Sequence, residues 1–215
     1  MSKRIRPAVS RPLIVGIGGT TLPGSSTEQA LKLALSSSEN AGARTLLFDG
    51  SSLTCLPHFG TDKSQSSDEG HRLVDAVREA DGLIIGSPGY HGSISGLVKN
   101  AIDYLEFTAK DERPYLDGVP VGLISTAYGW QATASTLAAL RSIVHALRGW
   151  PTPLGASVNS AGGIFLDGRC TDVSVSNQLD IVGKQVVEFA RQRLVSFQHD
   201  TATTSFPAWT GFQSG

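Results

Sequence analysis

Short apolar runs alternate with amphipathic stretches along this chain. Leu13–Ile17 is apolar without alternation, as a strand buried on both faces requires. Gly18 to Gly24 reads as a loop. Ser25, Ser26 and Thr27 offer N-caps for a helix that runs to Ala41 and stops at Gly42. Thr45–Phe48 is a second strand. Residues 49–66 are polar and irregular apart from Leu53–Pro57. Ser67-Asp68-Glu69 opens a helix with Leu73, Val74 and Val77 on one face, and Asp81-Gly82 ends it. The third strand, Gly82–Ile85, begins at once and leads into a glycine-rich loop, Ser87 to Ser93. A helical pattern with Leu97, Ile102 and Leu105 on a shared face follows.

The second half repeats the alternation. Val119–Ile124 is a fourth strand, and Thr133–Leu147 is a long helix carrying Leu137, Leu140, Ile143, Val144 and Leu147. Gly149–Pro153 stops that helix, Leu154–Val158 is a weak fifth strand, and Ser174–Phe197 is the last helix. Its inward positions are Leu179, Val182, Val186 and Phe189. Five strands alternating with helices specify a parallel sheet covered on both faces. Residues 1–12 are an N-terminal extension, 13–197 the domain, and 198–215 a tail without period whose Phe206, Trp209 and Phe212 are candidates to dock on a neighbour.

Composition narrows the function. The 215 residues suit one α/β domain, and a net charge of −1 argues against a nucleic-acid surface or an anionic-membrane binder. No apolar run approaches the ~20 residues that span a bilayer. The basic start, Met1 to Pro7, is followed by too short an apolar run for a signal peptide. Cys55 and Cys170 form no motif and read as reduced thiols of a cytoplasmic protein.

Candidate chemistry lies in the loops after the strands. Gly18 to Thr27 joins a strand to a helix, so its amides and the positive helix end suit a phosphate. The hydroxyls of Thr20, Ser25, Ser26 and Thr27 are available as donors. It lacks both the dinucleotide G-x-G-x-x-G pattern and the P-loop lysine. An ordinary Gly-rich turn with a Ser cap explains these residues equally well. The loop Ser87 to Ser93 holds Pro88, Gly89, Tyr90, His91 and Gly92, and glycines let a flat ligand approach the backbone. His91 also reads as a solvated loop histidine, and Tyr90 as a surface aromatic.

The run Gly86 to Asp103 resembles the flavin-ring loop and following helix of the NADPH-dependent FMN reductase family, with Leu97, Lys99 and Asn100 matching its Gly-x-Leu-Lys-Asn pattern. The resemblance extends over about residues 13–160. It implies a flavodoxin-like α/β/α sandwich with five parallel strands in the order 2-1-3-4-5. It implies FMN held at its phosphate by Thr20, Thr21, Ser25, Ser26 and Thr27, and at its ring by Pro88, Gly89, Tyr90, His91 and Gly92. A third loop, Ser125, Thr126, Ala127, Tyr128 and Gly129, falls where the family flanks the flavin on its other side. Leu22 occupies the slot where the family's G-S-x-R-x-x-S loop carries arginine.

The expected activity is hydride transfer from NADPH or NADH to flavin N5, with no definite acid or base and no metal. The resemblance further implies a partner monooxygenase that consumes reduced flavin. The apolar surface of the helix Thr133–Leu147 and of Ile102, Tyr104, Leu105 and Phe107 leads us to expect a homodimer or tetramer. Rival readings are an FMN-bound quinone, azo or chromate reductase, a flavodoxin-type electron carrier, and a homologue that binds no flavin.

Overall fold

The computed structural model describes residues 11–202, with side chains to residue 196. The expectations for the extension before residue 11 and for Phe206, Trp209 and Phe212 lie outside the described residues. The parallel strands are β1 (Leu13–Gly18), β2 (Arg44–Phe48), β3 (Gly82–Tyr90), β5 (Pro120–Ala127) and β6 (Trp150–Asn159). Their order across the sheet is β2-β1-β3-β5-β6, which is the expected 2-1-3-4-5 of the parallel strands. A short extra strand, β4 (Ser93–Ile94), pairs antiparallel with β3, and a separate hairpin joins β7 (Phe165–Leu166) to β8 (Arg169–Cys170).

Seven α-helices are described: α1 (Ser26–Asn40), α2 (Gly50–Thr54), α3 (Asp62–Gln65), α4 (Asp68–Glu79), α5 (Gly96–Asp103), α6 (Trp130–Ala146) and α7 (Val173–Ala202). Ser25 caps α1, Ser67 caps α4 and Ser95 caps α5, each by accepting a backbone N–H with its hydroxyl. Two apolar clusters sandwich the sheet. Val15, Ile17, Leu83, Ile85 and Leu123 face one side with α4, α5 and α6. Ile14, Ile84 and Ile124 face the other with α1 and α7. Alternation of side chains along each strand produces this division.

Several expectations are corrected. Ser87 to Ser93 is not one loop, because β3 continues to Tyr90 and turns at His91-Gly92 into β4, and Ser125, Thr126 and Ala127 are the last residues of β5, so the third loop begins only at Tyr128. Pro151 and Pro153 do not precede the fifth strand but lie within β6, whose position at the sheet border tolerates the missing N–H groups. Residues 49–66 contain α2, capped by Asp49, and α3. Leu179, Val182 and Val186 are buried on α7 as expected, joined by Val187 and Ala190, but Phe189 is only half-buried. The apolar residues of α6 are mostly covered within the chain. Leu137, Leu140 and Val144 are buried, Ile143 and Leu147 pack partly, and Ala138 and Ala146 face outward. Tyr104 and Leu105 are fully buried as well.

Candidate functional site

Parallel strands all point their carboxyl ends the same way, so the loops after β1, β3 and β5 emerge side by side. Glycine at two positions brings them close. A Cβ on Gly18 would lie 2.1 Å from the Gly86 carbonyl oxygen, and one on Gly50 would lie 1.7 Å from the Thr20 carbonyl oxygen. The first contact closes β1 on β3, and the second presses the end of β2 against the loop after β1.

The hydroxyls divide by strand face. Thr27 and Thr126 are buried and their Oγ1 atoms lie 2.5 Å apart, tying the first turn of α1 to the end of β5. Ser125, on the opposite face, donates to the Thr133 carbonyl at 2.8 Å and holds α6. Ser87 Oγ accepts the Ser95 N–H at 3.0 Å and so positions α5. Thr20 Oγ1 accepts the Leu22 N–H at 3.1 Å, and Ser25 Oγ accepts the Glu28 N–H at 3.3 Å. Among the expected phosphate donors, Thr21 and Ser26 have no hydrogen bond to another described side chain or loop. Thr27 is turned inward and spends its hydroxyl on Thr126.

The ring-side residues are arranged differently from the simple expectation of exposed glycines. A Cβ on Gly89 would meet Thr136 Oγ1 at 2.6 Å and the Ala132 carbonyl at 3.0 Å, so Gly89 is needed for close packing on α6. Gly92 and Gly129 have open space at the Cβ position. His91 (φ 51) and Gly92 (φ 86) are both left-handed, which gives the two-residue turn of a tight hairpin. Pro88 is buried and registers with Thr126, while Ala127 is half-buried. Tyr90 is 53% exposed, Tyr128 83%, Trp130 62% and Leu22 71%. Four large apolar side chains therefore rim the carboxyl edge, where a flat ligand would cover them.

Sequence reasoning named Lys99 and Asn100 with the helix after the loop. Lys99 pairs with Asp103 at 2.6 Å, and Asn100 binds the backbone of Phe59 and Pro57, so both are structural. It missed Asp49 and Glu28. Asp49 Oδ1 accepts the N–H groups of Ser51 and Ser52 and the Ser51 hydroxyl. The Ser51 hydroxyl above all holds the Asp49 carboxyl below its ordinary range; partial burial opposes this, and the two amides and Lys32 add to it. Glu28, 7% exposed, takes the Gly24 N–H at 3.1 Å and the Lys32 ammonium at 2.6 Å. The spacing Ser25-x-x-Glu28 is a capping-box signal that would have found it.

An open strand-to-helix loop with spare hydroxyls, an apolar rim and closely apposed backbones fits an elongated ligand with a phosphate at one end and a flat ring at the other. FMN has that shape and chemistry. Among the described residues no cluster of three metal-ligating side chains occurs, and no helix is long and apolar enough to cross a membrane.

A doubly wound parallel sheet in the order β2-β1-β3-β5-β6, with helices on both faces, defines a flavodoxin-like fold. The chain matches the model of the NADPH-dependent FMN reductase family over residues 12–162, and it belongs to that family, which takes FMN and NADPH. It is 43% identical over 84 residues to an FMN-dependent NADPH-azoreductase of Staphylococcus saprophyticus, covering 38% of this chain and 39% of that protein. The match thus spans well under half of the curated relative's length. Two solved structures share the fold. The flavoenzyme NAD(P)H:(acceptor) oxidoreductase FerB of Paracoccus denitrificans is 20% identical, with 84% and 98% of the two chains covered and a TM-score of 0.67. An apo NADH:FMN oxidoreductase is 21% identical, with 85% and 89% covered and a TM-score of 0.60.

Proposed function

We propose that the chain is an NAD(P)H-dependent FMN reductase that binds flavin at the carboxyl edge of the sheet. The observation that carries this reading is the convergence of the loops after β1, β3 and β5, with an open phosphate-side loop and an apolar rim. Bound FMN supplies a hydride acceptor at N5 and NADPH the hydride. The chain's own part is placement. Loop amides with Thr21 and Ser26 hold the phosphate end. The His91-Gly92 turn and Gly129 admit the ring edge to backbone donors, and Tyr90, Tyr128 and Trp130 exclude water from the stacked rings.

Reduced flavin is then available to a partner monooxygenase. A second reading, azo-dye reduction by retained FMN, is favoured by the azoreductase relatives. The exposed rim also supports a second copy covering the carboxyl edge of the sheet, and two unpaired thiols support a cytoplasmic setting. Steady-state oxidation of NADPH and NADH with free FMN, FAD, riboflavin and an azo dye tests these readings. Turnover that scales with free FMN supports the reductase. Turnover of the dye by enzyme that keeps FMN through gel filtration supports the azoreductase. No oxidation with any acceptor removes both.

A further inference from the structure

The loop from Gly19 to Thr27 contains no lysine or arginine. A carboxylate stands at its side instead. Glu28 is buried in the first turn of α1, and its Oε2 accepts the Gly24 N–H at 3.1 Å. Its Oε1 accepts Lys32 Nζ at 2.6 Å, and the Lys32 side chain is 55% exposed. The pair is therefore a dipole with its negative end against the loop and its positive end in solvent. Asp49 lies on the same side, since Gly50 packs on Thr20, and it too draws on Lys32. Arg72 is held by Glu69 in a two-pronged pair and stacks over Phe48.

A helix amino end attracts an anion through its dipole and its free N–H groups. Neutral donors alone can hold a phosphate there. In this chain Glu28 already occupies that end, fixed within reach of one of the loop amides, so an arriving phosphate meets a like charge in a poorly solvated position. Like charges at short range repel most where water is excluded.

We infer that Glu28 sets how tightly the flavin phosphate is held and keeps FMN exchangeable, so that flavin behaves as a substrate that leaves the site. This inference rests on the flavin reading of the site given above. The carboxylate stabilises α1 and its loop when the site is empty and competes with the phosphate when flavin binds. The ring contacts are untouched by it, so the effect falls on FMN and spares riboflavin, which lacks the phosphate.

The test is fluorescence-quenching titration of the full chain with FMN and with riboflavin. Glu28→Gln keeps an acceptor for the Gly24 amide and removes the charge. The expected result is FMN bound at least fivefold more tightly, with riboflavin changed less than twofold. A smaller gain for FMN, or a riboflavin change of twofold or more, overturns the inference. Should Glu28→Gln fail to fold, the double variant Glu28→Gln with Lys32→Gln replaces the ion pair by a neutral one. FMN then binds at least twofold more tightly if the carboxylate end governs the loop, and any lesser gain overturns it. Wild-type chain that binds neither flavin overturns the flavin reading itself, which is a separate outcome.

Discussion

The Oγ1 atoms of Thr27 and Thr126 lie 2.5 Å apart, both side chains almost wholly buried, across a sequence separation of 99 residues. This hydrogen bond fastens the first turn of α1, which follows the loop proposed to hold the phosphate, to the end of β5, which leads into a loop proposed to flank the ring. Replacing either residue by valine leaves a buried hydroxyl unpaired and should cost ~1–3 kcal/mol. Replacing both should restore most of that loss, because two methyl groups satisfy one another. Urea unfolding of the two single variants and the double one decides it, and strictly additive losses would mean that the two hydroxyls are uncoupled.

Gly89 and Gly92 should respond differently to substitution. Gly89→Ala drives a methyl group into the Thr136 hydroxyl and the Ala132 carbonyl, so it should destabilise the fold by ~1–3 kcal/mol through displaced α6. In Gly92→Val the Cβ meets no atom within 4 Å, but a β-branched residue is forced into a left-handed conformation, at ~1–2 kcal/mol, and the change should abolish flavin binding by deforming the turn. Gly92→Asn, which accepts that conformation, should keep both. Thermal melts with flavin titrations check all three, and a Gly89→Ala chain as stable as wild type would refute the packing role.

Asp49 gives acid sensitivity to the loop side of the site. Its carboxyl is held below the ordinary value, so its stabilising effect is complete above the unfolded-state pKa and is lost as pH falls through the folded one. Acidification through and below the usual carboxylate range, about pH 4, should loosen α2 and the Gly50–Thr20 contact. Asp49→Asn should flatten the fall in melting temperature over that window. Parallel melting curves for the two proteins would remove Asp49 from the explanation.

Tyr128 and Trp130 stand too far into solvent to stabilise the fold. Alanine at either should change unfolding free energy by no more than about 0.5 kcal/mol. If they flank the flavin, each alanine should weaken its binding by ~0.5–1.5 kcal/mol, the scale of an aromatic pair. Isothermal titration with riboflavin reads this directly, and unchanged affinity in both variants would free these aromatics for another role.

The architecture was legible because fully buried strands such as Leu13–Gly18 and Gly82–Ile85 are apolar without interruption and the helices between them are amphipathic. Serine caps marked the starts of α1 and α4, at Ser25 and Ser67, whereas the cap at Ser95 was not read. The hairpin at 87–94 was not legible as strand. Ser87, Pro88 and Gly89 look like loop residues until Ser87 is seen to be satisfied by Ser95 and Gly89 to be required by α6. The five residues of α2 are too few to show a period. The loops proposed for the site were chosen from their position after strands. Which of their hydroxyls are free could not be read, since Thr27 is committed to Thr126, 99 residues away, and Ser125 to the Thr133 carbonyl in α6.

Pro151 and Pro153 bear on more than the shape of β6. A border strand offers its unpaired N–H groups to any passing chain, and sheets that meet edge to edge grow into insoluble fibres. Here two of three successive residues have no N–H to offer, and the side chain of Gln185 takes the amide of Leu154 at 3.1 Å. That stretch of the border is closed to strand addition, which protects the protein from self-templated aggregation when it is abundant or partly unfolded.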